Sequence, residues 1–192
     1  MKPTISNFEP KKRANFVVLP PTGAYVAEIQ AARAIEKNGK EVLEIMVDIT
    51  EGEFKGRYHQ DYEQQREYRG DKAQYRGKYT LYPYDENAEP WQRKNWDSDI
   101  WCIQQSNEGY AWDWDESKLK GKKIGISVRK ELYTSQDGED KEVYKICQLE
   151  TVSDVKEGKC KPIKDRDKRK KDSDSTDGSD FTDVSKTVDV PW

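Results

Sequence analysis

Apolar and polar residues alternate in two early stretches. In residues 23–35, Tyr25, Ala27, Ile29 and Ala31 fall on one side, with Glu28 and Gln30 on the other. In residues 41–50, Leu43, Ile45, Val47 and Ile49 oppose Glu44, Met46 and Asp48. A period of two is that of a half-buried strand. Between the two runs, Asn38-Gly39 is the strongest short hairpin signal. A turn at Glu51-Gly52 then leads into residues 53–58, read as a third strand of a meander or a bulged continuation, and residues 75–82 read as a hairpin around Gly77. From residue 91 the period changes. Trp96, Ile100 and Ile103 share a face at i, i+4 and i+7, and Asp97 is placed to cap a short helix. Residues 119–129, with Ile124, Ile126 and Val128 on one face, and residues 141–152, with Val143, Tyr144, Ile146 and Leu149, read as a fourth and a fifth strand around a turn at 136–140.

Three strands, a helix and two further strands is the element order of the OB-fold, a small Greek-key barrel. The expected architecture is therefore all-β with one short helix: an OB-fold-like five-stranded barrel followed by a disordered C-terminal tail. The domain reading is an N-terminal arm over 1–22, a barrel domain over 23–160 with a Tyr-rich insertion at about 58–90, and a basic-then-acidic tail over 161–192. Within the arm, Lys11, Lys12 and Arg13 precede Phe16, Val17, Val18 and Leu19, read as a short edge strand or a cover over one end of the barrel.

At 192 residues the chain holds one ordinary domain with appendages. Its apolar share of 33% is low, yet 11% aromatic residues argue against wholesale disorder. Net charge is −3, but the total hides an asymmetry. From Asp172 onward there are six Asp and one Lys; removing that −5 from the chain's −3 leaves residues 1–171 at +2. The body is weakly basic and the tail acidic.

Candidate chemistry concentrates in residues 57–84, which hold seven of the eleven tyrosines but only one Leu and no Ile or Val. Arg57, Tyr58, Tyr62, Arg66, Tyr68, Arg69, Tyr75, Arg76, Lys78 and Tyr79 interleave flat rings with cations. That combination is what sequence-tolerant binding of single strands requires: each stacked base is worth about 1–3 kcal/mol, and cations follow the phosphates. The bland alternative is that the tyrosines pack against an insertion of their own. Six acidic residues from Glu51 to Asp71 dilute the positive field.

Beyond a basic run at 164–171, the tail is too acidic and too poor in apolar residues to offset its ordering entropy. It closes on Asp189, Val190, Pro191 and Trp192, an aromatic anchor beside negative charge, suited to a partner pocket apolar inside and basic at its lip. This ending resembles the acidic tip of bacterial single-stranded-DNA-binding proteins, with Trp where Phe is usual. The resemblance implies capture of replication or recombination proteins. About twenty linker residues span roughly 25 Å, beyond a Debye length of about 8 Å, so the tail reaches the barrel and competes there with DNA.

A second resemblance covers residues 23–152. Gly23-Ala24-Tyr25-Val26-Ala27-Glu28-Ile29, then Glu41-Val42-Leu43-Glu44-Ile45 through Gly52-Glu53-Phe54-Lys55-Gly56-Arg57-Tyr58, and later Trp112-Asp113-Trp114-Asp115-Glu116 and Leu119-Lys120-Gly121-Lys122-Lys123, are similar to a family of small proteins encoded by bacteriophages of Gram-positive hosts. That family is regarded as supplying single-stranded-DNA-binding proteins for phage replication. The resemblance implies a coat over exposed single strands in the cytoplasm of the bacterial host.

Other chemistries find little support. Three Cys without a CxxC pair point to a reducing compartment, and the single His59 lies far from all of them. Asp113, Asp115 and Glu116 lack the spacing of a calcium loop, and a solvated loop with Trp112 and Trp114 anchored inward explains them better. No Walker loop or GxSxG motif is present, so no enzyme activity, cofactor or metal is expected. Nor is a membrane segment. A protein-interaction adaptor that never touches DNA is the alternative, with a metal-dependent nuclease behind it. A homo-oligomer is left open.

Overall fold

Strand pairing starts at the turn expected from sequence. A computed structural model describes residues 16–169. β1 (Gly23–Lys37) and β2 (Lys40–Ile49) are joined through Asn38 and Gly39, both left-handed at φ 55 and 73, the conformation a two-residue hairpin of this type demands. A bulge between Ile29 and Ala31 shifts the register, so Ile29 faces Val47 while Ala31 faces Met46. Such a bulge bends the strand and sharpens its local twist.

A second hairpin joins β4 (Lys123–Thr134) to β5 (Asp140–Glu150). The first half of β4 pairs with β1 from Gly23↔Val128 to Glu28↔Lys123, which makes β4 internal there. Its run from Ile124 to Val128 is accordingly buried without alternation. With β3 (Lys78–Leu81) on β2, the sheet order is β3-β2-β1-β4-β5. All of these pairings are antiparallel; two-residue β6 (Arg166–Asp167) adds to the free half of β4 in parallel, at Glu131 and Leu132. The terminal strands β3 and β5 approach each other without a ladder, so the sheet stays open along that line.

α2 (Pro90–Gln105) covers one end of the sheet. Trp96, Ile100 and Ile103 enter the core beside Ile29, Ile45 and Ile126, as their spacing predicts. Each fully buried aliphatic side chain contributes about 1.5–3 kcal/mol. The helix starts earlier than the expected cap at Asp97, because Pro90 suits a first helical position and Asp97 points to solvent. Its end is tied down by Asn107, whose side-chain amide donates to the Ile103 and Lys123 carbonyls at 2.8 Å each.

Residues 53–58 do not form the expected strand. They lead instead into α1 (Arg57–Arg69), and the third strand of the sheet is β3, twenty residues further on. Buried Asp48 on β2 explains the change. One carboxylate oxygen accepts the Ile49 and Tyr58 backbone N–H groups at 2.9 and 3.1 Å, and the other accepts that of His59 at 3.2 Å, capping the helix from outside it. The inward face of α1 is Tyr58, Asp61 and Gln65, a helical stripe that is mostly polar. Gln65 donates to Asp61 and to the Gln74 carbonyl and accepts from the Gln74 N–H, clamping the returning chain.

The hairpin expected around Gly77 is likewise a single extended segment. Gly77 lies flat on β2, its carbonyl accepting from Val47 N–H at 2.8 Å. A Cβ there would sit 2.4 Å from the Val47 carbonyl oxygen and 2.8 Å from the Tyr58 ring. Gly77→Ala is therefore expected to lower stability by about 1–3 kcal/mol through overpacking. Urea unfolding measures it, and an unchanged midpoint would show that α1 and β3 are less tightly joined than described. Nor is there a strand at residues 16–19. Leu19 tucks into the core, while Phe16 and Val18 are exposed. Among the described residues, no helix is long and apolar enough to cross a membrane. The cations Lys11, Lys12 and Arg13 and the tip from Asp189 to Trp192 lie outside the described residues.

Candidate nucleic-acid interface

The ten residues singled out in the Tyr-rich stretch are not brought to one surface. Tyr58 is 1% exposed and sits in the core, where a stacked base cannot reach it. Tyr75 tilts against it at 6.5 Å, and Tyr62 meets Tyr75 edge-on at 5.7 Å. The Tyr75 hydroxyl donates to the Val47 carbonyl at 3.0 Å. These three rings fasten α1 to the sheet. Arg57 covers the Phe54 ring and Arg76 pairs with buried Asp61 at 3.5 Å. Arg66, Arg69 and Tyr68, the last 61% exposed, point outward from α1. Only Lys78 and Tyr79 lie elsewhere, on β3, where they join a different constellation.

That constellation is a groove along the line where β3 and β5 part. One section, about 670 Å³, runs between β3, α2 and β5. Tyr79 and Asp99 form part of its lining, and Tyr82 and Trp91, exposed by 52% and 62%, stand at its edge with Lys94. A second section, about 320 Å³, shares Tyr79, Thr80, Tyr82 and Cys147 with the first. It is lined by Lys37, Lys78, Arg129, Lys145 and Lys168.

Two carboxylates hold cations of that second section, Glu131 within its lining and Glu44 behind Lys78. Glu131, 3% exposed, receives Arg129 at 2.7 Å, Lys168 at 2.8 Å and Lys145 at 3.5 Å. Burial opposes its ionisation, yet the hydrogen bonds from Lys168 and Arg129 and the Lys145 charge hold its pKa at about 2. Glu44 works alike: burial pushes its carboxyl up, but Arg33 at 2.6 Å and Lys78 at 3.5 Å bring it below the usual value. Five cations and one carboxylate, Glu131, line this section, an excess of four; Glu44 lies behind Lys78 and is shared with Arg33. Lys37 makes no ion pair among the described residues and lies over the Tyr82 ring at 5.7 Å. An excess of cations beside exposed rings is suited to a flexible polyanion carrying flat bases.

The first section has a different character. Tyr79 donates its hydroxyl to Asp99 at 3.0 Å. Desolvation raises the Asp99 carboxyl to about 7, against the opposing hydrogen bonds from Tyr79 and the Leu149 N–H. Lys94 is the one cation among its lining residues.

Trp91, Lys94, Lys37, Arg129 and Lys145 escaped the sequence reading, whereas Lys168 belongs to the basic run at 164–171, a candidate phosphate-binding extension or a solubilising start to the tail. The five that escaped come from four separate segments, and no local run of residues signals their convergence. The Trp112–Trp114 loop matches its expectation in part. Trp112 is half-buried, whereas Trp114 is exposed and lies parallel to Trp96 at 5.6 Å, its backbone left-handed at φ 67. Asp113 and Asp115 both pair with Lys118. No cluster of three or more His, Cys, Asp or Glu able to hold a metal ion occurs among the described residues. Comparison with known families and with curated proteins finds no matching family model and no matching protein.

Proposed function

We propose that this chain is a single-stranded-DNA-binding protein of OB-fold type, acting in phage replication or recombination in the cytoplasm of a bacterial host. The observation that carries the reading is the groove, where five cations from several segments line one section and the exposed rings of Tyr82 and Trp91 stand along it. Strand order supports the fold. The path β3-β2-β1-β4-β5, with a helix between β3 and β4 and a groove between the terminal strands, is that of a partly open OB barrel. Lys37 beside the first hairpin turn supplies a contact at a loop such barrels use for oligonucleotides. The protein would coat exposed strands with little sequence preference and no catalysis.

The acidic tail completes the proposal. Its tip, Asp189 to Trp192, recruits replication or recombination proteins, and the tail competes with DNA for the groove. Support for the competition comes from the chain that precedes it. β6 lies on β4, Lys168 reaches Glu131, and Arg169 pairs with Asp140 at 3.3 Å, so the tail departs from the cationic section itself.

Titration with oligothymidylate, followed by Trp fluorescence, tests the reading. Quenching is expected, with log K falling against log salt by about 0.7 per phosphate contacted. Removing residues 172–192 should tighten binding at low salt. A flat salt dependence without quenching would favour the adaptor, a second reading that the exposed Trp101 and Trp114, outside the groove, support.

A further inference from the structure

The two sections of the groove differ in a way that non-specific coating does not require. Five cations line one, whereas the other holds Lys94 alone and the side-chain amides of Asn95 and Gln148. Asn95 projects from α2 and Gln148 from β5, and both are exposed. Neither amide has a hydrogen-bonding partner among the described residues, so each offers a donor pair and an acceptor to whatever enters. Trp91 on the same rim has a free ring face, with no aromatic neighbour among the described residues.

Charge and shape then divide the ligand. Phosphates lose less by staying with the cationic section than by approaching the Asp99 carboxyl. A flat, uncharged heterocycle suits the amide-lined section, whose 670 Å³ admits one with room to spare. We propose that the section between β3, α2 and β5 is a base pocket, in which a nucleobase of the bound strand stacks on Trp91 and is read at its hydrogen-bonding edge by Asn95 and Gln148. This rests on the single-strand reading above and adds a graded base preference to it.

The test uses the full chain and fluorescently labelled oligomers of dA, dC and dT of equal length at one salt concentration. Each homopolymer stacks on itself to a different extent, so the measured quantity is the ratio of affinities in the parent and in the double variant Asn95→Ala/Gln148→Ala. Both residues are exposed, so the variant should fold. An edge read by one or two amides is expected to change that ratio by about fivefold or more. Trp91→Ala should instead weaken all three oligomers together. Ratios within about twofold of the parent's in the double variant fall short of an edge contact and would overturn the pocket while leaving strand binding intact. Failure of the parent protein to bind any oligomer would overturn both.

Discussion

Lys37→Ala combined with Lys145→Ala is expected to weaken oligothymidylate binding by about ten- to a hundredfold at low salt, and to flatten the dependence of log K on log salt by about 1.4. Both lysines are exposed and line the cationic section from different strands, so the fold should survive their loss. Lys37 has no carboxylate partner among the described residues, and Lys145 shares Glu131 with two other cations. Fluorescence titrations at two salt concentrations give both quantities. The companion variant Arg66→Ala/Arg69→Ala, on the outer face of α1, should leave them nearly unchanged. Equal losses from the two double variants would carry the interface onto α1, and no loss from either would remove it from the groove.

The second large effect concerns stability. In the folded protein Asp99 titrates at about 7, against 3.8 for an ordinary aspartate, because burial disfavours its charge. Between those values the unfolded chain has lost its proton while the folded chain keeps it. Stability from this group is therefore fully present below about pH 4 and declines as pH rises to about 7. The shift corresponds to roughly 4 kcal/mol at about 1.4 kcal/mol per pH unit. Asp99→Asn keeps an acceptor for Tyr79 and does not titrate. Relative to the parent, the variant should gain roughly 3 kcal/mol between pH 5 and pH 8, and any constant offset from the amide cancels in that comparison. Urea unfolding at the two pH values measures the gain. An equal difference at both would show that Asp99 ionises normally.

Why the fold was legible in some places and not others follows from where the instructions lie. The first hairpin carries its own, since Asn38-Gly39 requires a tight turn and the flanking alternation sets the faces. In α2 the inward residues are apolar and spaced for a helix, so Trp96, Ile100 and Ile103 announce their role. α1 offers neither signal. Its inward stripe is Tyr58, Asp61 and Gln65, and its N-terminal cap comes from Asp48 on a neighbouring strand. A reading based on hydrophobic period passes over such a helix. The site was harder still. The tyrosine-rich stretch drew attention by density, but density there serves mainly to attach α1, through Tyr58, Tyr62 and Tyr75. Of the groove's cations, Lys78 and Lys168 lie in stretches that stand out in the sequence, but those at 37, 129 and 145 stand apart, and only the pairing order of the strands makes all five neighbours.

The missing ladder between β3 and β5 bears on what the proposed groove can admit. Had the two been zipped together, spreading them would cost a row of main-chain hydrogen bonds. As they stand, no such row holds the seam, and the Tyr79–Asp99 hydrogen bond beside it joins β3 to α2 rather than to β5. Purines and pyrimidines differ in bulk, and a mouth with adjustable width takes either without breaking the scaffold. On the single-strand reading proposed above, any base preference then becomes a matter of degree.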